Sequence, residues 1–311
     1  MSSHDRFEPK LRVASSGYEG SGYKLPTRGG QIVPGVTTVL GILDKPGVLQ
    51  WAVNNTAAYA VANIDSLLTR SETQGYGFLR FYHSRFKEQD FDNPEIDIYN
   101  YSNGVLSDLG ELGTVTHDWV ASNVLDEFEP DLVRDEQVQM VEKFLEWRQG
   151  HVIEPIVVEG TVVGHNYAGT LDHLWEVECI HEGPPCVAEG PTRMLIDAKT
   201  SRKTRHEHIA QLAALGAADT LMVETTEGNG KLFTSKKWGK TYWREEPLPA
   251  FSEYAILHLR PNDTDTKGNK MDSFVKLKAV SHKHIEAGWE MFQGALQAQY
   301  GRKALKKMEE I

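Results

Sequence analysis

The strand-like segment at residues 194–199 constrains the fold of this chain more than any other part of the sequence. Side chains alternate between the two faces of a strand, so Asp197 and Lys199 share one face at the end of an otherwise apolar run. Burying a carboxylate and an ammonium there costs free energy unless the two groups are paired or used in chemistry. The segment therefore predicts either a salt bridge or part of a functional site, and the spacing alone does not decide between them.

A second acidic residue, Asp172, stands in a similar place on the preceding strand. Residues 156–163 and 167–177 are strand-like, and His165 and Asn166 supply a turn, so a hairpin is predicted. If 167–177 neighbours 194–199 in one sheet, Asp172 and Asp197 can converge on one divalent cation. Oxygen ligands beside a lysine favour Mg²⁺, with Mn²⁺ as the alternative, over zinc. Such a site can activate water against a phosphoryl group, with Lys199 orienting that water or stabilising the developing charge.

Apolar periodicity extends over most of the chain after residue 34. It predicts helices at 48–68, 78–87, 107–125, 135–150, 206–221 and 282–300, and further strands at 254–259 and 273–278. This order predicts an α/β fold with a mixed central sheet flanked by helices. Residues 1–33 are rich in Gly, Ser and Tyr, and they are expected to form a tail with at most one hairpin, whereas residues 34–311 form a single domain.

Composition excludes several classes of protein. The 311 residues carry a net charge of -11, so any contact with nucleic acid must use a local basic surface. Two cysteines, Cys179 and Cys186, are too few for a four-cysteine zinc site or iron–sulfur cluster. Residues 228–231 lack the first glycine and the Ser/Thr of a P-loop, so no ATP site is expected. No secretory signal or membrane span is visible, and a cytoplasmic protein is expected.

Several segments together resemble the PD-(D/E)XK nuclease superfamily, and most closely the RecB-type exonucleases found in phages. Residues 167–172 and 195–201 carry the two acidic positions and the lysine of that family. Residues 113–117 are similar to its Gly-Thr-x-x-His helix, residues 211–214 to its post-lysine glutamine helix, and residues 34–40 with 44–46 to the N-terminal segment of actinophage members. The similarity runs discontinuously from about residue 34 to residue 300.

The resemblance implies a restriction-endonuclease-like core at about 105–300 with an N-terminal helical elaboration at about 34–150. In this family Asp172 and Asp197 would be metal ligands and Lys199 the catalytic lysine. His117 would be a further ligand or site organiser, Gln211 would position water or DNA, and Glu159 would support the metal. The implied activity is that of a Mg²⁺-dependent DNA exonuclease in phage recombination or DNA processing. A single-strand annealing protein is the implied partner, and some relatives form homo-oligomers.

The chain departs from the family pattern in two respects. Leu215 stands where many relatives have a tyrosine four residues after the glutamine. The shortage of cysteines places the chain with the relatives that lack an iron–sulfur cluster.

Basic residues cluster in two places despite the acidic total. Arg202, Lys203 and Arg205 directly follow the lysine strand, where they can bind phosphates. Between residues 231 and 244 basic and aromatic residues alternate without an acid, and Lys236, Lys237 and Trp238 are candidates for gripping phosphates and stacking on unpaired bases. The alternative for this second cluster is a solvated hairpin with ordinary aromatic packing.

Two other functions compete with the nuclease hypothesis. One is a DNA-binding or assembly protein that keeps the fold without turnover. The other is an HD-type metal-dependent phosphohydrolase, since His117 and Asp118 match the His-Asp pair of that class. His83 can supply the upstream histidine that the class also needs, together with a downstream aspartate. The second alternative explains neither Asp172 nor the spacing of Asp197 and Lys199. A lone histidine packed on an amphipathic helix is the simplest alternative for His117.

Overall fold

The computed structural model describes residues 9–14, 21–43, 46–74, 101–127, 131–132, 134–180, 190–264 and 269–309. The chain divides into two compact units, one formed by residues 1–43 and 115–311 and the other by residues 44–114. The helix predicted at 78–87, together with His83, lies outside the described residues. None of the described helices is long and apolar enough to cross a membrane.

Thirteen strands form three sheets in the described part of the chain. They are β1 Arg12–Ala14, β2 Ser21–Leu25, β3 Gln31–Pro34, β4 His151–Gly164, β5 Tyr167–Cys179, β6 Thr192–Lys199, β7 Thr220–Thr225, β8 Lys231–Ser235, β9 Gly239–Pro247, β10 Glu253–Arg260, β11 Asp263–Thr264, β12 Lys270–Met271 and β13 Phe274–Val280. The central sheet has eight strands in the order β13-β10-β6-β5-β4-β7-β9-β8. Its β6–β10 pair is parallel and its other pairs are antiparallel, which confirms the predicted α/β fold with a mixed sheet.

The described helices are α1 Val36–Leu40, α2 Pro46–Ala62, α3 Ile64–Gln74, α4 Tyr101–Val124, α5 Asp135–Arg148, α6 His206–Gly216 and α7 His282–Glu309. Helices α1, α6 and α7 pack together on the central strands and form the largest hydrophobic core, to which the sheet contributes Leu174 and Leu195. Trp175 and Ile196 each follow one of these leucines directly in its strand and therefore face the opposite side of the sheet, and they are also fully buried. The middle strands are therefore covered on both faces, as their apolar sequences require.

Part of the segment that was expected to be a tail is a folded sheet. Strands β1–β3 form a three-stranded antiparallel sheet, and Leu11 and Leu25 are fully buried. These side chains share a core with Met222, Phe233 and Trp243 of the central sheet. The Gly- and Ser-rich composition concealed this sheet because its apolar residues are too widely spaced to show a period.

The predicted helix at 206–221 is too long. Helix α6 ends at Gly216, and residues 220–225 form strand β7 instead. A side chain at position 216 would meet the ring of Tyr254, since a Cβ there would lie 2.5 Å from Cε1. The apolar run from 209 to 223 crosses from helix to strand without a change in composition, so periodicity could not place the boundary.

The segment at 34–40 packs directly on β5. Gly35 bridges Ala168, and Val36 lies against Gly169, where a Cβ would approach its Cγ2 to 2.9 Å. Leu215 of α6 closes over the same glycine. Leu215 is thus a buried core residue that packs on the strand bearing Asp172.

Candidate functional site

Three acidic residues occupy adjacent positions on the neighbouring strands β4, β5 and β6. The register of β4 against β5 places Glu159 opposite Asp172. The register of β5 against β6, continued by one position, places Asp172 opposite Asp197. The backbone N–H of Ala198 donates to Oδ2 of Asp172 at 2.8 Å and ties these two strands together. The strands of Asp172 and Asp197 are therefore neighbours, which is the condition on which a shared cation depended.

His117 of helix α4 completes a candidate metal site with two of these acids. One potential ligand atom each from His117, Glu159 and Asp172 lies within 4.8 Å of the others. Nδ1 of His117 is 3.7 Å from Oδ2 of Asp172. Asp172 is buried, whereas His117 and Glu159 are half-buried. Two carboxylates and an imidazole at these separations are donors that one divalent cation can join.

Asp197 lies beside this group but is paired with Lys199. Nζ of Lys199 is 2.7 Å from Oδ2 of Asp197 and donates to the carbonyl oxygen of Ala198 at 3.0 Å. Asp197 is fully buried, and the Lys199 side chain is 16% exposed. The salt bridge that the sequence analysis left open is thus present, and it lies next to the candidate metal site instead of replacing it.

The electrostatic environment separates the protonation states of these carboxyls. Burial alone raises the pKa of Asp172, but Lys199, His117, His173 and the backbone N–H of Ala198 outweigh it and hold this pKa below its ordinary value. For Asp197, burial is the largest effect, and together with the charge of Asp172 it raises the pKa to about 7 although Lys199 opposes the rise. Asp172 is therefore ionised at neutral pH, whereas Asp197 titrates close to neutrality.

The pKa values of Glu159, His117 and Lys199 are also shifted. Burial first, and then Asp172 and Asp118, raise the pKa of Glu159 well above its ordinary value. Burial lowers the pKa of His117 despite the nearby Asp172, so the imidazole is neutral and has a lone pair for a metal. Burial also opposes the charge of Lys199, but the carboxylates around it outweigh burial and its pKa is raised. A bound cation would relieve the repulsion among these acids.

The backbone of Glu159 adopts a conformation that side-chain-bearing residues rarely occupy. Its φ is 51°, in the left-handed region. Gly160 follows in a tight place, since a Cβ there would come within 2.4 Å of Val157 Cγ1. Glu159 thus reaches its place opposite Asp172 through an irregularity of β4 that no sequence pattern announces.

The remaining predicted site residues lie at varied distances from this centre. Gln211 is half-buried on α6, a helix that packs on β6, β5 and β4. Its side chain makes no hydrogen bond with the described part of the chain. Arg202, Lys203 and Arg205 are exposed on the loop between β6 and α6, which begins directly after Lys199. Their binding of phosphates stays a prediction.

The second basic cluster lies on the β8–β9 hairpin at the edge of the sheet far from β13. Its aromatic residues Phe233 and Trp243 are buried in the core shared with the N-terminal sheet, so they pack there and are closed to bases. Lys236 and Lys237 are exposed, and Nζ of Lys237 lies 4.9 Å from the centroid of the Trp238 ring. Ordinary packing thus accounts for the two buried aromatics, and nothing in this geometry connects the hairpin to the acidic row.

Two histidines near the site were missed by sequence reasoning. His173 is fully buried against Trp175, with a ring-centroid distance of 4.3 Å, and burial lowers its pKa to about 3. His258 on β10 pairs in register with Lys199. The only available signal was the position of His173 directly after Asp172, whereas His258 lies far away in sequence.

Comparison with known proteins adds no relative to this picture. The sequence matches no protein-family model, and no curated protein is significantly similar to it.

Proposed function

We propose that this protein is a metal-dependent deoxyribonuclease of the PD-(D/E)XK type that hydrolyses phosphodiester bonds in DNA. The observation that carries the proposal is the convergence of His117, Glu159 and Asp172 within 4.8 Å of one another, beside the Asp197–Lys199 pair. The paired acids and lysine come from adjacent strands, and the histidine comes from a helix that reaches the same point.

The donor set fits Mg²⁺ or Mn²⁺. Asp172 is ionised and His117 is neutral, which are the forms in which these side chains bind a cation. Binding would lower the raised pKa of Glu159 and favour its carboxylate form. A bound divalent cation supplies polarisation of the phosphoryl oxygen and a lowered pKa for an attacking water.

Lys199 acts as a charged group in this proposal. Its pKa is raised by the surrounding carboxylates, so its ammonium is protonated at neutral pH and cannot serve as a general base. Asp197 holds Nζ at 2.7 Å and fixes its position. Lys199 therefore stabilises the negative charge that develops on the phosphate and orients the water, in the way that a fixed cation lowers an activation barrier.

The substrate assignment follows from charge. The chain carries a net charge of -11, which repels a polyanion over most of the surface. The exposed loop with Arg202, Lys203 and Arg205 starts directly after the lysine and offers local positive charge where a phosphodiester would have to bind.

The test is cleavage of linear and closed circular DNA by the purified protein in Mg²⁺, in Mn²⁺ and in EDTA. We expect degradation of linear DNA in either metal and none in EDTA. Replacement Lys199→Ala should lower the rate about 100-fold or more, the scale of losing one preorganised charge at a reacting centre. The matched control is Lys24→Ala, an exposed lysine on β2 in the N-terminal sheet, which should cleave at the wild-type rate.

Two outcomes would contradict the proposal, and a third would define the mode of cleavage. Absence of cleavage in both metals, with DNA binding retained, would establish a binding protein without turnover. Loss of activity in His83→Ala with full activity in Lys199→Ala would support the HD-type phosphohydrolase. Survival of closed circles while linear DNA disappears would show that the enzyme requires an end and acts as an exonuclease.

A further inference from the structure

Basic side chains on β10 and β13 continue the face of the sheet that carries Lys199. Strand β10 pairs with β6 on one side and β13 on the other, and His258 lies opposite both Lys199 and Lys276. Paired positions project to the same face, so these three residues form one row across three strands. Lys278 is two positions beyond Lys276 and therefore lies on the same face.

His258 joins this strand pair to the basic loop after β6. Its side chain is buried, with Nε2 2.7 Å from the carbonyl oxygen of Ser201 and Nδ1 2.7 Å from Nζ of Lys278. The lysine ammonium can only donate, so Nδ1 accepts and Nε2–H donates to Ser201. This neutral imidazole holds the start of the loop bearing Arg202 and Lys203 beside Lys278.

Lys276 and Lys278 have no acidic partner in the described part of the chain, and Lys276 is exposed. Burial, and then the charges of Lys276 and Arg260, lower the pKa of Lys278. Nζ of Lys278 also lies 5.8 Å from the centroid of the Phe274 ring, which fixes the side chain against the sheet. Neighbouring cations held in place without an anion favour binding of an anionic ligand.

We propose that Lys276 and Lys278, together with the loop bearing Arg202 and Lys203, bind DNA phosphates. These phosphates belong to the strand that is cleaved and lie a few nucleotides from the cleaved bond. The inference rests on the proposed function and extends it by giving the path of the substrate. Strands in a sheet are ~4.8 Å apart, so β13 lies about 10 Å from β6. A nucleic-acid strand covers that distance within about three nucleotides at a rise of ~3.4 Å each.

This path leads across β10 to the β13 edge of the sheet. It therefore runs away from the β8–β9 hairpin at the opposite edge, where sequence reasoning placed Lys236, Lys237 and Trp238. The row of acids on β4, β5 and β6 repels phosphates wherever no metal intervenes. Lys276 and Lys278 of β13 have no acidic partner among the described residues, so they attract the phosphates of a DNA strand that leaves the site in this direction.

The test measures binding without cleavage. Fluorescence anisotropy would follow a labelled single strand of about 20 nucleotides in EDTA, between about 50 and about 200 mM salt. In Lys276→Glu we expect the Kd at low salt to rise about tenfold or more, and the slope of log K against log salt to fall by about 1 to 2. The matched control is Lys24→Glu, an exposed lysine on β2 in the N-terminal sheet, whose Kd should stay within about twofold of wild type.

Lys278→Met provides a second variant, because methionine keeps the packing on Phe274 and removes the charge. It should weaken binding in the same direction, with the circular dichroism spectrum of the wild type. Equal Kd and salt slope in Lys276→Glu, Lys278→Met and Lys24→Glu would overturn the inference even if the wild type cleaves DNA. Weakened binding by Lys276→Glu in a protein that never cleaves would overturn the proposed function and leave the phosphate surface standing.

Discussion

Glu159 has a φ of 51°, in the left-handed region of backbone conformation. In this region the β-carbon of an L-residue lies too close to the following carbonyl oxygen. Residues held in this region are common at functional sites because the surrounding structure can maintain them. Here the conformation brings the carboxylate of Glu159 opposite Asp172 and into the group with His117. The unfavourable backbone conformation of Glu159 thus accompanies the placement of its carboxylate as one candidate metal ligand.

This backbone conformation predicts that glycine at position 159 gives a more stable protein than alanine. Glu159→Gly and Glu159→Ala both remove the carboxylate, so their difference isolates the backbone. We expect the glycine variant to have a free energy of unfolding about 1 kcal/mol higher than the alanine variant, because glycine adopts positive φ without a steric penalty. Urea denaturation would measure it. Asn166, with a φ of 65° in the β4–β5 turn, offers a control pair with the same expected order. An alanine variant at least as stable as the glycine variant would contradict the argument.

Glu245 on β9 is the centre of a hydrogen-bond network that joins four elements. Arg28, at the end of a short 3-10 helix at Pro26–Arg28, donates to it from Nε at 3.1 Å and from the second guanidinium nitrogen at 3.0 Å. Thr27 and Thr220 donate to the same carboxylate, and Arg28 also donates to the carbonyl oxygen of Gly164 on β4. The network therefore ties the N-terminal sheet region to β4, β7 and β9.

This network makes part of the stability depend on pH. Burial alone would raise the pKa of Glu245, but hydrogen bonds from Arg28, Thr27 and Thr220 outweigh it and lower this pKa below 4.5. A lowered folded-state pKa gives stability that is present above the unfolded-state value and lost as pH falls through the folded-state value. Glu245→Gln should therefore reduce the free energy of unfolding by about 2 kcal/mol at pH 7, and by less below about pH 4.5.

Denaturant unfolding of wild type and Glu245→Gln at several pH values would measure this difference. The control is Glu290→Gln, an exposed residue on α7, which should change stability by less than about 0.5 kcal/mol at each pH. A difference between wild type and Glu245→Gln that stays constant from pH 7 down to pH 4 would show that charge at Glu245 does not hold these elements together.

On the scale of the whole molecule, charge is distributed very unevenly. Beyond the net charge of -11, Asp118, Glu159, Asp172 and Asp197 influence one another across a few strands. Clustered acids destabilise the folded state through repulsion, and a cation bound only by the folded state offsets that cost. Metal binding should therefore increase the free energy of unfolding of the protein.

We expect Mn²⁺ at about 100 times its Kd to raise the free energy of unfolding by about 2.7 kcal/mol, and to raise Tm by several degrees. EDTA should reverse the increase. Asp172→Asn should abolish it because the ionised ligand is lost, whereas Asp65→Asn on exposed α3 should retain it. Differential scanning fluorimetry with and without Mn²⁺ measures both. An equal Tm increase in Asp172→Asn and wild type would place the bound metal elsewhere.

Much of the architecture was predictable because the spacing of apolar residues within a segment indicates whether that segment forms a helix or a strand. The alternation in residues 167–177 and 194–199, the turn at His165 and Asn166, and the helices at 107–125 and 135–150 correspond to elements of the structure. The same alternation placed Asp197 and Lys199 on one face, where their ion pair is found. These features depend only on which neighbours in sequence are apolar.

Tertiary structure decided what periodicity cannot express. Gly216 lies at the end of α6 in a place where a Cβ would be 2.5 Å from the ring of Tyr254, a residue distant in sequence. Glu159 enters the metal group through a backbone irregularity and the register of β4 on β5. His258 meets Ser201 and Lys278 only because β10 lies between β6 and β13. Strand order and register arise from contacts between residues far apart in the chain, whose free energies no single segment encodes.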